Sequence, residues 1–288
     1  MIAEFQYIKP YSLEEAFEVL SKEAESIVYA GGTDILVRYR AGRCTSKTVI
    51  DVKSIIELQG ITENGDQISI GATSTFSELY ENELIQKAVP ALAQAAKMVG
   101  SGQIQRKATI GGNICNASPA ADGLTAIWAL EAKVLLISSS GSRIIPLTEF
   151  VVGPGKTTIR ENEILCRIFI PKRMWTHQEF FKVGRRNALA ISVVNGCVSV
   201  CRDDNNKITD AAISIGACGP TPIRAYSSEK HIIGKTLSKK WIRGLETITK
   251  AEVAPISDLR ASAEYRKYAA ASSIAAALQR FEEQRRVW

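Results

Sequence analysis

The sequence predicts an α+β protein of two domains, and three observations carry that prediction. Up to about residue 173, short β-rich runs are interleaved with amphipathic helical stretches. From about residue 174 onward, three strands in antiparallel succession are followed by two long helical stretches. A length of 288 residues exceeds one ordinary domain, which averages ~150 residues.

Taken in order, the first part begins strand, helix, strand, helix, strand. Ser12 is placed to cap a helix, with Glu14 and Glu15 in its first turn, ahead of AFEVLSKEA with apolar positions at helical spacing. SIVYA (26–30) is β-rich and runs into Gly31-Gly32. TDILVRYRAG follows, and KTVIDV (47–52) is another short strand. QISIGAT (67–73) alternates as a half-buried strand does. TFSELYENELIQKAVPALAQAAKMVG carries helical periodicity interrupted at Pro90. IWALEAKVLLISSSGSRIIPL reads as a helix end and then a strand pair around Gly141, and EILCRIFIP (163–171) is a strand halted by Pro171. A domain boundary is expected near Pro171 to Thr176.

The second part opens with HQEFFKVG and continues through ALAISVVNGCVSVCRDDNNKITDAAISIGACGPTPIRA as three antiparallel strands. Asp203 to Asn206 supply the turn chemistry of a hairpin. Helices are expected in LSKKWIRGLETITKAEV and SAEYRKYAAASSIAAALQRFEEQ, the latter with Tyr268, Ile274, Leu278 and Phe281 on one face. No internal repeat or low-complexity segment occurs.

Composition narrows the function. Hydrophobic residues make up 45% and charged residues 23%, the balance of a globular protein rather than a disordered or fibrous one. The longest apolar stretches, such as Ala126 to Leu130, fall far short of the ~18 residues that cross a bilayer, so no membrane association is expected. MIAEFQYIKP has neither a basic start nor an apolar run, so no signal peptide is expected and the cytoplasm is the expected location. The net charge of +6 is scattered, and the one dense cluster, Lys182 with Arg185-Arg186, is too short for a nucleic-acid groove. Six cysteines (44, 115, 166, 197, 201 and 218) lack Cys-x-x-Cys spacing, and only His177 and His231 could join them, placed in a tail-like turn and a loop. No metal site is expected. Cys197 and Cys201, four apart on a strand, share a face and read as small buried hydrophobes of a reducing compartment.

Two glycine-bearing loops stand out. The first, Ala30-Gly31-Gly32-Thr33-Asp34-Ile35-Leu36, directly follows a β-run. Successive glycines free the backbone to aim several N–H groups at one point, an anion nest, and Thr33 adds a hydroxyl. It is neither G-x-G-x-x-G nor a Walker A loop; a plain tight turn is the competing reading. The second runs Thr109-Ile110-Gly111-Gly112-Asn113-Ile114-Cys115-Asn116-Ala117-Ser118-Pro119-Ala120-Ala121-Asp122. Small residues and hydroxyl or amide side chains pack a core poorly, yet suit backbone pressed against a ligand rich in phosphate and hydroxyl oxygens. Asp122 could accept hydrogen bonds from sugar hydroxyls.

Together these loops resemble the flavin-binding (medium) subunit of the molybdenum hydroxylases, the xanthine dehydrogenase family. YAGGTDILV is similar to its A-G-G-T-D-L-L element, and ATIGGNICNASPAAD to its T-I-G-G-N-…-A-S-P-…-D element. SGQIQRKA is similar to G-x-Q-I-R-N-x-A, with Arg106-Lys107 in place of Arg-Asn. DLRASAEYRKYAA (258–270) is similar to the D-x-R-A-S-x-x-Y-R signature of the family's C-terminal domain. The resemblance covers essentially the whole chain. GPGK (153–156) and the length look closest to bacterial xanthine dehydrogenase flavin subunits encoded as separate chains.

The resemblance implies a two-subdomain FAD-binding domain of the vanillyl-alcohol-oxidase type over 1–173 (subdomains about 1–55 and 56–173). It implies a three-stranded antiparallel sheet with a helical bundle over 174–288, the C-terminal flavoprotein domain of the CO dehydrogenase/xanthine dehydrogenase type. It implies that Ala30, Gly31, Gly32, Thr33, Asp34, Ile35 and Leu36 lie along the FAD pyrophosphate and ribityl chain. Thr109, Gly112, Asn113, Asn116 and Ser118 would line the rest, and Asp122 would anchor a polar part. Leu165 or Cys166 would touch the flavin through its backbone, and Lys182 would approach the flavin edge, where a cation favours the anionic reduced form. Two departures stand out: Asn187-Ala188 replace acidic residues common after that lysine, and Val99 stands where some relatives place a flavin-covering aromatic.

The function so implied is electron transfer within a molybdenum hydroxylase, with xanthine as the implied substrate. Electrons would arrive from 2Fe–2S clusters on a small subunit, the substrate being oxidised at molybdopterin on a large subunit, and would leave FAD for NAD⁺ or another acceptor. A dimer of heterotrimers would be the assembly. Two other readings stay open: a stand-alone FAD-dependent oxidase of the same fold acting on a small alcohol or aldehyde, and a nucleotide-binding or assembly protein without redox function. No catalytic residue is assigned to this chain.

Overall fold

A computed structural model describes residues 4–186, 189–236 and 239–283. Residues 1–3, Asn187-Ala188, Leu237-Ser238 and residues 284–288 lie outside the described residues. The chain builds three principal sheets. The first is parallel, with Thr48–Asp51 between Gln6–Ile8 and Ser26–Tyr29. Parallel neighbours need a crossover. The helix Leu13–Lys22 supplies one, its first turn capped by the Ser12 hydroxyl, which accepts from the Glu15 N–H at 3.2 Å. The helix Ile35–Arg40 starts the other.

The second sheet is antiparallel, in the order Ile61–Asn64, Gln67–Gly71, Ile164–Pro171, Lys133–Ser138, Gly141–Pro146. A bulge at Cys166 interrupts the pairing of Ile164–Pro171 with Lys133–Ser138. The helical stretch 75–99 is three helices rather than one interrupted at Pro90. Thr75 and Glu78 form a capping box on Phe76–Glu81, Asn82 closes that helix and caps Glu83–Ala88, and Pro90 opens Pro90–Met98. Proline acts here at a helix's first position, where its missing N–H costs nothing.

The third sheet pairs His177–Val183, Val194–Arg202 and Ile208–Gly216 antiparallel, and the two-residue strand Ile223–Arg224 adds a fourth member to the expected three. The expected hairpin turn is there: the Asp203 carboxylate accepts from the Asn205 and Lys207 N–H groups, and Asn206 takes a φ of 59°. Both faces of this sheet are covered. Phe180, Cys197 and Ala212 join the core of the second sheet and its helices, whereas Val194, Val198, Val200 and Ile213 pack with Ile274, Leu278 and Phe281 of the helix Ala263–Glu283. Tyr268 does not share that buried face; it is exposed, with the Lys250 ammonium over its ring. Nor are the histidines in loops: His177 lies in a strand and His231 in the helix Tyr226–Ile232. All six cysteines are free thiols, and among the described residues no cluster of His, Cys, Asp or Glu could hold a metal. No described helix is long and apolar enough to cross a membrane.

The D-x-R-A-S stretch is structural. Arg266, almost wholly buried, donates to the carbonyls of Val193 and Ala217 and pairs with Asp258 at 2.7 Å, tying the last helix to the sheet.

Candidate functional site

The strand Ser26–Tyr29 ends at the first glycine loop, and the chain must reverse into the helix Ile35–Arg40 within five residues. Gly32 makes this possible with a φ of +71°, a region that side chains with a Cβ rarely adopt. Among the described residues, the N–H groups of Gly31, Gly32, Thr33 and Asp34 have no protein acceptor. Four consecutive main-chain donors are thus free for a ligand.

The second loop is partly helical. Thr109 caps a short helix Ile110–Cys115, its hydroxyl accepting from the Gly112 N–H at 3.1 Å, and a second helix starts at Asp122. Main-chain bonds fix it from beneath: Ile110 donates to the Ser74 carbonyl and Gly111 to that of Ala72. A Cβ on Gly111 would lie 2.6 Å from the same Ala72 oxygen. The Asn113 side-chain oxygen accepts from the Leu124 N–H at 3.0 Å. The GPGK turn supports the far end, where the Gly155 N–H donates to the Ala117 carbonyl.

These two loops face one cavity of about 480 Å³, the size of an ordinary cofactor or substrate pocket. Ala30, Gly31, Gly32, Thr33, Asp34 and Ile35 line it from one side, and Thr109, Gly112, Asn113 and Asn116 from another. Leu165 lines it as well. Leu36, Ser118, Cys166, Asp122 and Lys182 do not line it. The Ser118 hydroxyl accepts instead from the Ala120 N–H, and the Cys166 carbonyl from the Ala72 N–H.

Asp122 and Lys182 are bonded to each other. The Lys182 ammonium lies 2.5 Å from one Asp122 oxygen and 2.8 Å from the Met98 carbonyl. Ser192 and Asn195 donate to the other Asp122 oxygen, each at 2.7 Å. Both charges are about nine-tenths buried. The pair therefore joins the helix Asp122–Trp128 to the third sheet. Lys182 also reaches the residue before Val99, which lines the cavity.

Some wall residues carried no signal in the sequence. Tyr29, Arg38, Val52 and Thr73 line the cavity, as do Ile159, Arg160, Glu161 and Glu163 of the segment 159–163. Within that segment Glu163 is buried and held by Arg143, whose guanidinium donates to both carboxylate oxygens at 2.7 and 2.8 Å. The Arg160 N–H also donates to it, at 2.9 Å. The Arg143 guanidinium holds the Glu163 carboxyl below the usual carboxylate range. Cys115 faces the cavity too, and burial pushes its thiol up to about 12, so it is a neutral group there.

The residues fit a dinucleotide. Unclaimed N–H groups on a glycine turn are the donor set a pyrophosphate needs, and the largely apolar remainder of the wall suits a flat aromatic ring system.

Comparisons with known proteins agree with that fit. Residues 3–173 match the family model of the FAD binding domain in molybdopterin dehydrogenase, and residues 179–281 match the CO dehydrogenase flavoprotein C-terminal domain. The chain is 33% identical over 264 residues to the xanthine dehydrogenase FAD-binding subunit of Escherichia coli O157:H7, covering 90% of each chain. It is equally 33% identical to the nicotinate dehydrogenase FAD-subunit of Eubacterium barkeri, over 92% of this chain and 91% of that one. Among solved structures, a carbon monoxide dehydrogenase chain from Hydrogenophaga pseudoflava superposes with a TM-score of 0.91 at 28% identity, covering 97% of both. The chain therefore belongs to the family of FAD-binding domains of the molybdopterin dehydrogenases, as an oxidoreductase subunit of the molybdenum hydroxylase type.

Proposed function

We propose that this chain is the electron-transfer subunit of a three-chain molybdenum hydroxylase, holding FAD between its two glycine loops. The observation that carries this reading is the one cavity that residues 30–35 share with Thr109, Gly112, Asn113 and Asn116. In it the N–H groups of Gly31, Gly32, Thr33 and Asp34 hold the pyrophosphate, and Thr109, Gly112, Asn113 and Asn116 line the rest of the dinucleotide. The Leu165 backbone touches the flavin. When bound, FAD supplies the capacity to take electrons singly and release them in pairs.

The chain's own residues bind, orient and shield. Leu36 and Ser118 act from behind the wall. Asp122 and Lys182 fix the third sheet against the cavity, with Lys182 placed through Met98 beside Val99. Neither histidine lines the cavity, so no imidazole base is offered beside the flavin.

The partners of this reading are a large molybdopterin-binding subunit and a small subunit with 2Fe–2S clusters, the trimers pairing into a dimer. In this reading electrons would enter from the clusters and leave for NAD⁺ or another acceptor. Xanthine or a related purine is the substrate, supported by the likeness to the Escherichia coli subunit. The substrate pocket belongs to the large subunit, and the cytoplasm is the proposed location. Expression with affinity capture tests this: a yellow chain that brings two partner chains and reduces a dye with NADH is expected. A folded chain that takes up no FAD would contradict the reading.

A further inference from the structure

Directly before the glycine loop stands Tyr29, whose side chain turns back onto that loop. Its hydroxyl and ring edge press against Gly32: a Cβ built there would lie 2.4 Å from the Tyr29 hydroxyl oxygen. Tyr29 lines the cavity, and among the described residues its hydroxyl has no hydrogen-bond partner. The phenol therefore stands at the edge of the four free N–H groups with an unused donor.

The ring is held in place from below. The Lys53 ammonium sits over it, 5.5 Å from the centroid, and Tyr7 meets it edge-on at 6.3 Å between centroids. Buried Asp51 organises both neighbours. It accepts a short hydrogen bond from the Tyr7 hydroxyl, caps the Lys53 N–H at 3.0 Å, and lies 3.4 Å from the Lys53 ammonium. A cation takes one ring face, Tyr7 meets the ring edge-on, and the hydroxyl tip is left without a partner among the described residues. That favours a hydrogen bond to an anion over stacking on a base.

We infer that Tyr29 is a further ligand-binding residue, its hydroxyl donating to the pyrophosphate held by the glycine loop, and that Tyr7, Asp51 and Lys53 are its positioning residues. The inference rests on the placement of FAD proposed above. The same contact makes Gly32 obligatory twice over, since a side chain would strike the phenol and strain the left-handed turn.

The test uses the full chain stripped of flavin, titrated with FAD by fluorescence quenching and with ADP by calorimetry. ADP carries the pyrophosphate without the flavin. Tyr29→Phe keeps the ring, its cation and its packing. It should raise the Kd for both ligands about ten- to hundredfold, the range for one hydrogen bond to a charged group. The melting temperature of the ligand-free chain should stay unchanged. Tyr7→Phe should raise both Kd values less. Unchanged affinity in Tyr29→Phe, or a loss for FAD with none for ADP, overturns the role of Tyr29. Wild-type chain that binds neither ligand overturns the FAD placement itself.

Discussion

A Cβ added to Gly31 would lie 2.0 Å from the Lys107 carbonyl oxygen and 2.9 Å from the Ala108 Cα. Residues 76 positions apart in the chain thus touch backbone to backbone, and the second of them, Lys107, stands two residues before Thr109. The absence of a side chain at position 31 is what lets the two glycine loops share a cavity.

Gly31→Ala follows from this contact. The added methyl meets main chain, which cannot swing aside as a flexible side chain can. Stability should fall by ~1–3 kcal/mol, the usual cost of overpacking, and flavin retention should be lost. Thermal melting and the visible-to-ultraviolet absorbance ratio of the purified variant measure the two effects. A variant as yellow and as stable as the parent would show that the loops tolerate separation.

Gly32→Val should abolish FAD retention through a different route, by placing a branched side chain at positive φ against Tyr29. The third sheet and its helices lie away from this site and should keep their cooperative unfolding. Circular dichroism with flavin analysis checks both halves of that expectation.

Removing one partner of the Asp122–Lys182 pair leaves a buried charge uncompensated. Asp122→Ala should destabilise the chain by ~3–5 kcal/mol in urea unfolding. The double replacement Asp122→Asn with Lys182→Met should be markedly milder. Equal losses in the single and double variants would mean that the pair is not coupled.

Acid should weaken the fold, and His177 sets the upper part of the window. Burial, helped by the Arg202 guanidinium, pushes its imidazole down to about 4. The unfolded chain protonates it near ~6.5, so between these values the unfolded state binds the extra proton and stability falls as pH drops. Asp258 extends the loss to lower pH. Burial alone would raise its carboxyl, but the Arg260 and Ala261 N–H groups and the Arg266 and Arg260 guanidinium groups lower it overall. Its contribution is present above ~3.9 and is lost as pH falls below that toward the folded value. Melting temperatures from pH 7 to pH 4 should decline, and His177→Gln should flatten the decline above pH 4. An unchanged slope in that variant would remove His177 from the explanation.

Much of this was legible in the sequence because it is local. Ser12 before a helix, the Asp203–Asn206 turn and the alternation of QISIGAT each report their own backbone geometry. The two glycine loops were legible because backbone that approaches something closely cannot carry side chains. The contact that limits Gly31 was not legible, since Lys107 meets it only in the folded chain. For the same reason Asp122, read as a free acceptor, proves to be occupied by Lys182, Ser192 and Asn195. Periodicity also misplaced Tyr268, whose six-residue distance from Ile274 turns it away from the buried stripe. Tyr29 and Glu163 left no pattern, because a wall residue is chosen by the shape of the cavity and not by its neighbours in sequence.

Hydrogen exchange of the flavin-free chain with and without FAD tests the central claim most directly. Amides of residues 31–34 and of the Thr109–Asn116 segment should slow together on FAD addition, at the same ligand concentration. Protection of one segment without the other, or of neither, would contradict a single site built from both.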